Sequence, residues 1–168
     1  MKIFCTGNPK RKTIAHGLQE LGQVTTGSIS TGWNYTNPDT LAKLEKYILD
    51  FNVFVNSAWV SSSTQLELCN TVHAAWQKHN VRGHIINIGT TLENTDDNSE
   101  YAQSKRLLKS HSLELSDNTG YSGVKISYIV VGGVGSKAVT PVQIAQTIHW
   151  IVQQQIRIPL IQLDSVKT

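Results

Sequence analysis

The chain has 168 residues, 39% of them hydrophobic and 16% charged, and carries a net charge of +3. That length suits one domain, residues 1–168, with a sizeable core. The mild charge excludes nucleic-acid binding by charge alone, because no cationic stripe stands out beyond Lys10-Arg11-Lys12.

No apolar run approaches the ~20 residues of a membrane span, so no membrane association is expected. The two cysteines, Cys5 and Cys69, lie in apolar patterns without CxxC or Cys/His spacing. They read as buried free thiols of a cytoplasmic protein rather than a disulfide or a zinc site. The six histidines are scattered, and none forms an HxxxH-type pair, so no metal site is expected.

In chain order, residues 2–5 predict a short buried strand that ends at Thr6-Gly7. The loop Asn8-Pro9-Lys10-Arg11-Lys12 leads to a helix over 13–21, with Ile14, Leu18 and Leu21 on one stripe and Gly22 as its stop. A second strand is expected over 24–26, then a loop over 27–32. Residues 34–38 read as a strand end followed by a helix start, with Asn37 or Asp39 as the cap. A helix over 40–49 and a fully apolar strand over 52–56 come next. They are followed by a helix over 64–79, a strand over 84–88, a polar loop over 92–98 and a helix over 99–115. A strand over 125–131, a helix over 141–154 and a last strand over 156–163 close the pattern. Strands that are apolar throughout and alternate with helices predict an α/β fold: a doubly wound parallel sheet, Rossmann-like, in three α/β/α layers. Ligands of such sheets bind at the carboxyl ends of the strands, and small or hydroxyl-bearing residues stand there: Thr6-Gly7, Asn56-Ser57-Ala58, Gly89-Thr90-Thr91 and Gly132-Gly133-Val134.

The stretch with the most chemistry is Tyr101-Ala102-Gln103-Ser104-Lys105. A spacing of four on a helix puts both side chains on one face. A phenol titrates near ~10 and is a poor acid or base at neutral pH. An ammonium beside it is expected to stabilise the phenolate and lower that pKa, making Tyr101 a general acid/base. A chance pair on an amphipathic helix is the competing reading.

With these motifs in order, the chain resembles the short-chain dehydrogenase/reductase family. Thr6-Gly7 is similar to the start of that family's TGxxxGxG loop, and Asn34-Tyr35-Thr36-Asn37-Pro38 to its DVTDP-like segment. Asn56-Ser57-Ala58-Trp59 resembles NNAG, and Ile86-Asn87-Ile88-Gly89-Thr90 the strand that ends in the catalytic serine. Tyr101 to Lys105 resembles YxxxK, and Val131-Gly132-Gly133-Val134-Gly135-Ser136 resembles PGxVxT. The resemblance implies Tyr101, Lys105 and Thr90 as catalytic residues (Thr90 or Thr91 in the serine's place). It implies a cofactor held by Thr6, Gly7, Lys10, Arg11, Lys12, Ser28, Asn34, Asn56, Ser57, Ala58, Tyr101, Lys105, Gly132 and Val134. It also implies hydride transfer to or from a small carbonyl or alcohol substrate, and a homodimer or homotetramer formed through helices 64–79 and 99–115.

The departures are as specific. The later glycines of the first loop are replaced by Lys10, Arg11 and Lys12, which either wrap a pyrophosphate or form a solvated basic loop. The second strand ends without an acid and with Ser28 and Ser30 nearby, which favours NADP over NAD. Counting back from Asn87 puts Ser62 where the family carries its catalytic asparagine. The substrate lobe expected after Ser136 is absent. Of the tryptophans, Trp33, Trp76 and Trp150 read as core or interface, whereas Trp59 falls near a nicotinamide or substrate. The alternative function is a non-catalytic nucleotide-binding, sensor or scaffold module on a degenerate Rossmann fold.

Overall fold

The computed structural model describes residues 1–10, 13–21, 24–118, 123–132 and 139–164. Its strands are β1 (Ile3–Thr6), β2 (Val24–Gly27), β3 (Val53–Asn56), β4 (Gly83–Ile88), β5 (Val124–Val131) and β6 (Leu160–Leu163). All pair in parallel within one sheet of order β2-β1-β3-β4-β5-β6. The helices are α1 (Ile14–Leu21), α2 (Pro38–Tyr47), α3 (Thr64–Lys78), α4 (Glu100–Asn118) and α5 (Pro141–Gln153).

Strand side chains alternate between faces, and here both faces are apolar. Phe4, Phe54, Ile85, Ile126 and Tyr128 point into a core shared with α2, α3 and α4. Cys5, Val53, Val55, Ile86 and Ile129 point into a second core shared with α1 and α5. That double burial is why β1 and β3 are apolar up to their last residue, and it makes the three layers expected from the sequence. In the first core Phe4 lies within 6.2 Å of the rings of Trp33, Tyr47, Phe51 and Phe54. Trp76 is fully buried there and donates its indole N–H to the Ile48 carbonyl at 3.0 Å.

Two expected elements differ. Residues 34–38 hold no strand end. Asn34 instead folds its side-chain oxygen onto the backbone N–H and hydroxyl of Thr36, at 3.3 and 2.8 Å. Asn37 then caps α2 by accepting from the Asp39 N–H at 2.9 Å. The last strand starts at Leu160 rather than residue 156, just past Pro159, whose ring nitrogen has no hydrogen to give a ladder.

The chain runs from β1 to β2 on one side and from β3 to β6 on the other. The order therefore reverses between β1 and β3, and the crevice of such a sheet opens there, beyond the carboxyl ends. Thr6 and Asn56 face each other across that switch point, and Asn56 is in register with Asn87 of β4.

Candidate active site at the carboxyl ends of the strands

Thr90 follows β4 and opens a short 3-10 turn, accepting the Leu92 N–H on its hydroxyl at 3.4 Å. Tyr101 lies in the first turn of α4, half-buried. The Thr90 hydroxyl lies close enough to the Tyr101 hydroxyl to lower its pKa. Two groups that lie apart in the sequence thus meet because β4 ends under the start of α4. Gly89 gives Tyr128 room at the end of β4: a Cβ there would fall 2.1 Å from the Tyr128 hydroxyl.

The expected activation of the phenol does not hold in this state. Burial raises the Tyr101 pKa above its ordinary value; the nearby Thr90 hydroxyl lowers it and the Glu93 charge raises it further. The reason is where the lysine points. The Lys105 ammonium lies 5.2 Å from the centre of the Tyr101 ring and donates to Gln65 Oε1 at 2.5 Å and to the Ile88 carbonyl at 2.7 Å. Lys105 is only 2% exposed. Burial brings its pKa down from 10.5 to about 8, against an upward pull from Glu93.

Below the pair lies a carboxylate that the sequence reading did not single out. Glu93 is buried, accepts from the Tyr128 hydroxyl at 2.5 Å and pairs with the Lys109 ammonium at 3.0 Å. The Tyr128 hydroxyl also reaches the Lys105 carbonyl at 3.1 Å. The available signal was Tyr128 itself, a hydroxyl in a buried strand that requires a buried partner. Gln65 was missed as well. Ser62, the position counted from the family pattern, is exposed. Gln65 shares the buried stripe of α3 with Leu68, Cys69, Val72 and Trp76, and a polar residue on an apolar stripe is the signal that finds it.

Trp59 flanks the site. Its indole N–H donates to Ser104 Oγ at 3.1 Å, Ser104 donates to the Tyr101 carbonyl at 2.7 Å, and the Trp59 and Tyr101 rings meet edge-on at 5.3 Å.

The polar groups at the switch point mostly tie the loops together. The buried Thr6 hydroxyl accepts the N–H groups of Ser57 and Ala58 at 2.9 and 3.0 Å, and the Ser57 hydroxyl donates to the Thr6 carbonyl. Asn56 donates to the Gln65 carbonyl at 2.7 Å and to Asn87 Oδ1 at 2.9 Å. Gly7 has φ 133°, and a Cβ there would lie 3.1 Å from Ser57 Oγ. A side chain is thus strained at that position, and bare backbone faces the crevice.

Lys10 is exposed, and the Thr13 hydroxyl closes its loop by reaching the carbonyls of Asn8 and Lys10 at 2.7 and 2.8 Å. Beyond β2, Ser28 Oγ stands 2.9 Å from Ser30 Oγ and 3.3 Å from Thr31 Oγ1. Asn34 is exposed on the following turn, with its oxygen committed to Thr36. Gly132 ends β5 and donates to the Leu163 carbonyl at 2.8 Å. Arg11, Lys12 and Val134 lie outside the described residues. The structure thus brings Thr90, Tyr101 and Lys105 together, with Gly7, Asn56, Ser57 and Ala58 at the neighbouring strand ends and Ser28 beyond β2.

A cavity of about 1030 Å³ lies at the opposite end of the sheet between His84, Lys125 and Arg157. The Lys125 ammonium there is held by the Gln154 and Gln155 carbonyls at 2.8 and 3.4 Å, and Arg157 by Asp117 at 3.2 Å. Lys125 and Arg157 are therefore committed within the chain, whereas Arg82, also in the lining, is exposed.

Solved structures repeat this architecture across the whole chain. The chain has the short-chain dehydrogenase/reductase fold. Serine dehydrogenase from Escherichia coli matches with a TM-score of 0.73 at 20% identity, covering 100% of this chain and 99% of that one. A metagenomic short-chain oxidoreductase in complex with NADP matches at 0.77 and 19% identity, over 97% of this chain and 96% of that one. A short-chain dehydrogenase/reductase family oxidoreductase from Brucella ovis, in complex with a partially ordered NAD, matches at 0.72 and 15% identity, over 96% and 98%. No protein-family model and no curated protein sequence matches the chain.

Among the described residues, no group of His, Cys, Asp and Glu is arranged to hold a metal ion, and no helix is long and apolar enough to cross a membrane.

Proposed function

We propose that the protein is an NADP-dependent oxidoreductase of the short-chain dehydrogenase/reductase type, acting between a small carbonyl and its alcohol. The observation that supports this best is the buried Lys105 ammonium 5.2 Å from the Tyr101 ring, with the Thr90 hydroxyl beside the Tyr101 hydroxyl, at the carboxyl end of β4.

A nicotinamide dinucleotide fits the residues present. Gly7 keeps backbone clear at the switch point, where an added side chain would be strained. The end of β2 offers the hydroxyls of Ser28 and Ser30 where an NAD-binding chain offers a carboxylate, which suits a 2′-phosphate. Gly7, Lys10, Ser28, Ala58, Lys105 and Gly132 would hold the cofactor, together with Arg11, Lys12 and Val134, and Asn34 would stand at its adenine end. The cofactor supplies or receives the hydride.

The chain's own part is proton transfer and charge placement. Tyr101 gives its hydroxyl proton to the carbonyl oxygen. Thr90 donates a hydrogen bond to the same oxygen as negative charge develops there. The Lys105 ammonium favours the phenolate that Tyr101 becomes. With its pKa raised, the Tyr101 phenol holds its proton at neutral pH, the form a proton donor needs. Trp59 meets the Tyr101 ring edge-on and walls the reacting centre, which suits a small substrate.

Titration of the intrinsic tryptophan fluorescence with NADPH and NADH tests the reading, followed by loss of NADPH absorbance over a panel of small carbonyls. NADPH is expected to bind more tightly than NADH. Tyr101→Phe is expected to lose about 10²-fold or more in turnover while NADPH affinity holds. Absence of binding to either nucleotide would refute the reading.

One observation favours a second reading, a nucleotide-binding module without catalysis: the ammonium that would activate Tyr101 is engaged by Gln65 and Ile88. Nucleotide binding without turnover, unchanged in Tyr101→Phe, selects it.

A further inference from the structure

We propose that Gln65 is the positioning residue of the Lys105 ammonium: a neutral side-chain oxygen on α3 holds that charge, by a direct hydrogen bond, where a bound nucleotide's ribose would meet it. The inference rests on the nucleotide reading of the site and names the group that sets the lysine within it.

A lysine ammonium has three N–H donors and no acceptor. One that is buried away from water must find acceptors in the protein. Lys105 finds two, the Ile88 carbonyl and Gln65 Oε1. Gln65 is the one side chain among the described residues that a hydrogen bond joins to this ammonium. Two donors are thereby committed, and the third remains for a ligand hydroxyl.

The orientation of Gln65 is fixed by its surroundings. Its Nε2 donates to the Asn56 carbonyl at 2.7 Å, and its own backbone carbonyl accepts from Asn56 Nδ2 at 2.7 Å. Turning the amide over would set its NH₂ against the ammonium and its oxygen against the Asn56 carbonyl, so a single orientation satisfies both ends. Asn56 continues to Asn87 Oδ1 at 2.9 Å, and Asn87 Nδ2 to Ser112 Oγ at 2.9 Å. Ser112 lies on α4, the helix that carries Lys105. The bonds thus close a ring through α4, α3, β3 and β4, and Gln65, Asn56, Asn87 and Ser112 are each at most 4% exposed. The lysine's place is set by the fold rather than by solvent.

The other groups around the ammonium do not replace Gln65. Tyr101, on the same helix, presents its ring. Glu93, from the turn after β4, acts through its charge, and that charge is shared with Lys109 of α4 and the Tyr128 hydroxyl of β5. A neutral acceptor holds the lysine without cancelling it. That leaves a net positive charge to favour the Tyr101 phenolate, whereas a carboxylate in the same place would neutralise it.

The test uses full-length protein with lysine labelled with ¹³C at the ε carbon, titrated by NMR. The Lys105 signal is identified by its loss in Lys105→Arg. The wild-type break is expected at about 8. Gln65→Met removes the acceptor and is expected to move the break down by about one pH unit. Gln65→Glu, nearly isosteric and so a variant that keeps the test decisive if Gln65→Met does not fold, is expected to move it up toward the ordinary lysine range. A Lys105 titration that coincides with wild type in the folded variants overturns the proposal.

NADPH affinity against pH supplies the functional arm. It is expected to weaken above about 8 in wild type and at a lower pH in Gln65→Met; identical curves also overturn the proposal. Should NADPH fail to bind wild type at every pH, the nucleotide reading falls. The lysine titration, read without nucleotide, then decides by itself whether Gln65 holds the ammonium.

Discussion

Lys105→Met isolates the energetic consequence of burying an ammonium in this site. In the folded chain the Lys105 pKa stands at about 8, whereas an unfolded chain returns it to the ordinary 10.5. Between those two values the unfolded state holds the proton more tightly than the folded state. Folding is therefore opposed below about 8, and the opposition fades as pH rises through 8 toward 10.5. The gap is worth about 3 kcal/mol, with Lys105 so deeply buried that solvent screening removes little of it. Urea unfolding of wild type and Lys105→Met at pH steps from 7 to 10.5 reads this directly. The stability of wild type minus that of Lys105→Met is expected to climb by about 3 kcal/mol over that range. The other lysines and the tyrosines titrate in both proteins and cancel in the difference. A flat difference would refute both the burial of the ammonium as a charge and the pKa that follows from it.

Three more outcomes follow from the same reasoning. His84 is buried, and burial followed by the Lys125 charge brings its pKa from 6.5 down to about 4. Stability is expected to fall by about 3 kcal/mol as pH drops from 6.5 to 4, and His84→Gln should lack this component in urea unfolding at pH 7 and 4.5. Glu93→Gln breaks a buried pair with Lys109 and weakens the acceptor of Tyr128; a loss of about 3 kcal/mol in urea unfolding is expected, and a change within 0.5 kcal/mol would show the carboxylate to be dispensable. Leu107 is 63% exposed on α4; sedimentation velocity is expected to show a homo-oligomer that Leu107→Asp turns into monomers, and a wild-type monomer would refute packing through α3 and α4.

The layers and the strand ends were legible in the sequence because strands buried on both faces leave an unbroken apolar trace. The Tyr101/Lys105 pair was legible because helical spacing fixes a shared face. Neither signal reports what lies across the gap. Spacing put an ammonium near a phenol, but the ammonium's direction depends on Gln65 and the Ile88 carbonyl, which come from other elements. Counting from Asn87 led to Ser62 because counting assumes a loop of constant length. The face of α3 would have led to Gln65, since a buried helical stripe tolerates an amide only when something buried needs it. Residues 34–38 misled for a different reason. An Asx turn and a helix cap use the same Asn, Thr and Pro vocabulary as a strand end that enters a helix, and only the hydrogen bonds of Asn34 and Asn37 tell the two apart.

The unequal state of the motifs has a physical order. What the family resemblance leaves unmatched are the later glycines of the first loop and the substrate lobe. What the chain keeps lies in the floor, where each polar group is bonded to another and the loss of one strands its partner. Asn56, Asn87, Gln65 and Lys105 are joined this way, as are Glu93, Tyr128 and Lys109. A surface lobe can be removed without leaving a buried donor unpaired, whereas a floor residue cannot. Persistence of the floor is therefore required by stability alone. Catalysis has to be read from groups that the floor does not need. Tyr101 is such a group: it is half-buried, its hydroxyl lies beside that of Thr90, and its backbone serves the helix whatever its side chain. A phenylalanine would pack there as well. A tyrosine placed beside a threonine at the mouth of the crevice is accordingly a stronger argument for chemistry than the better-buried lysine beneath it.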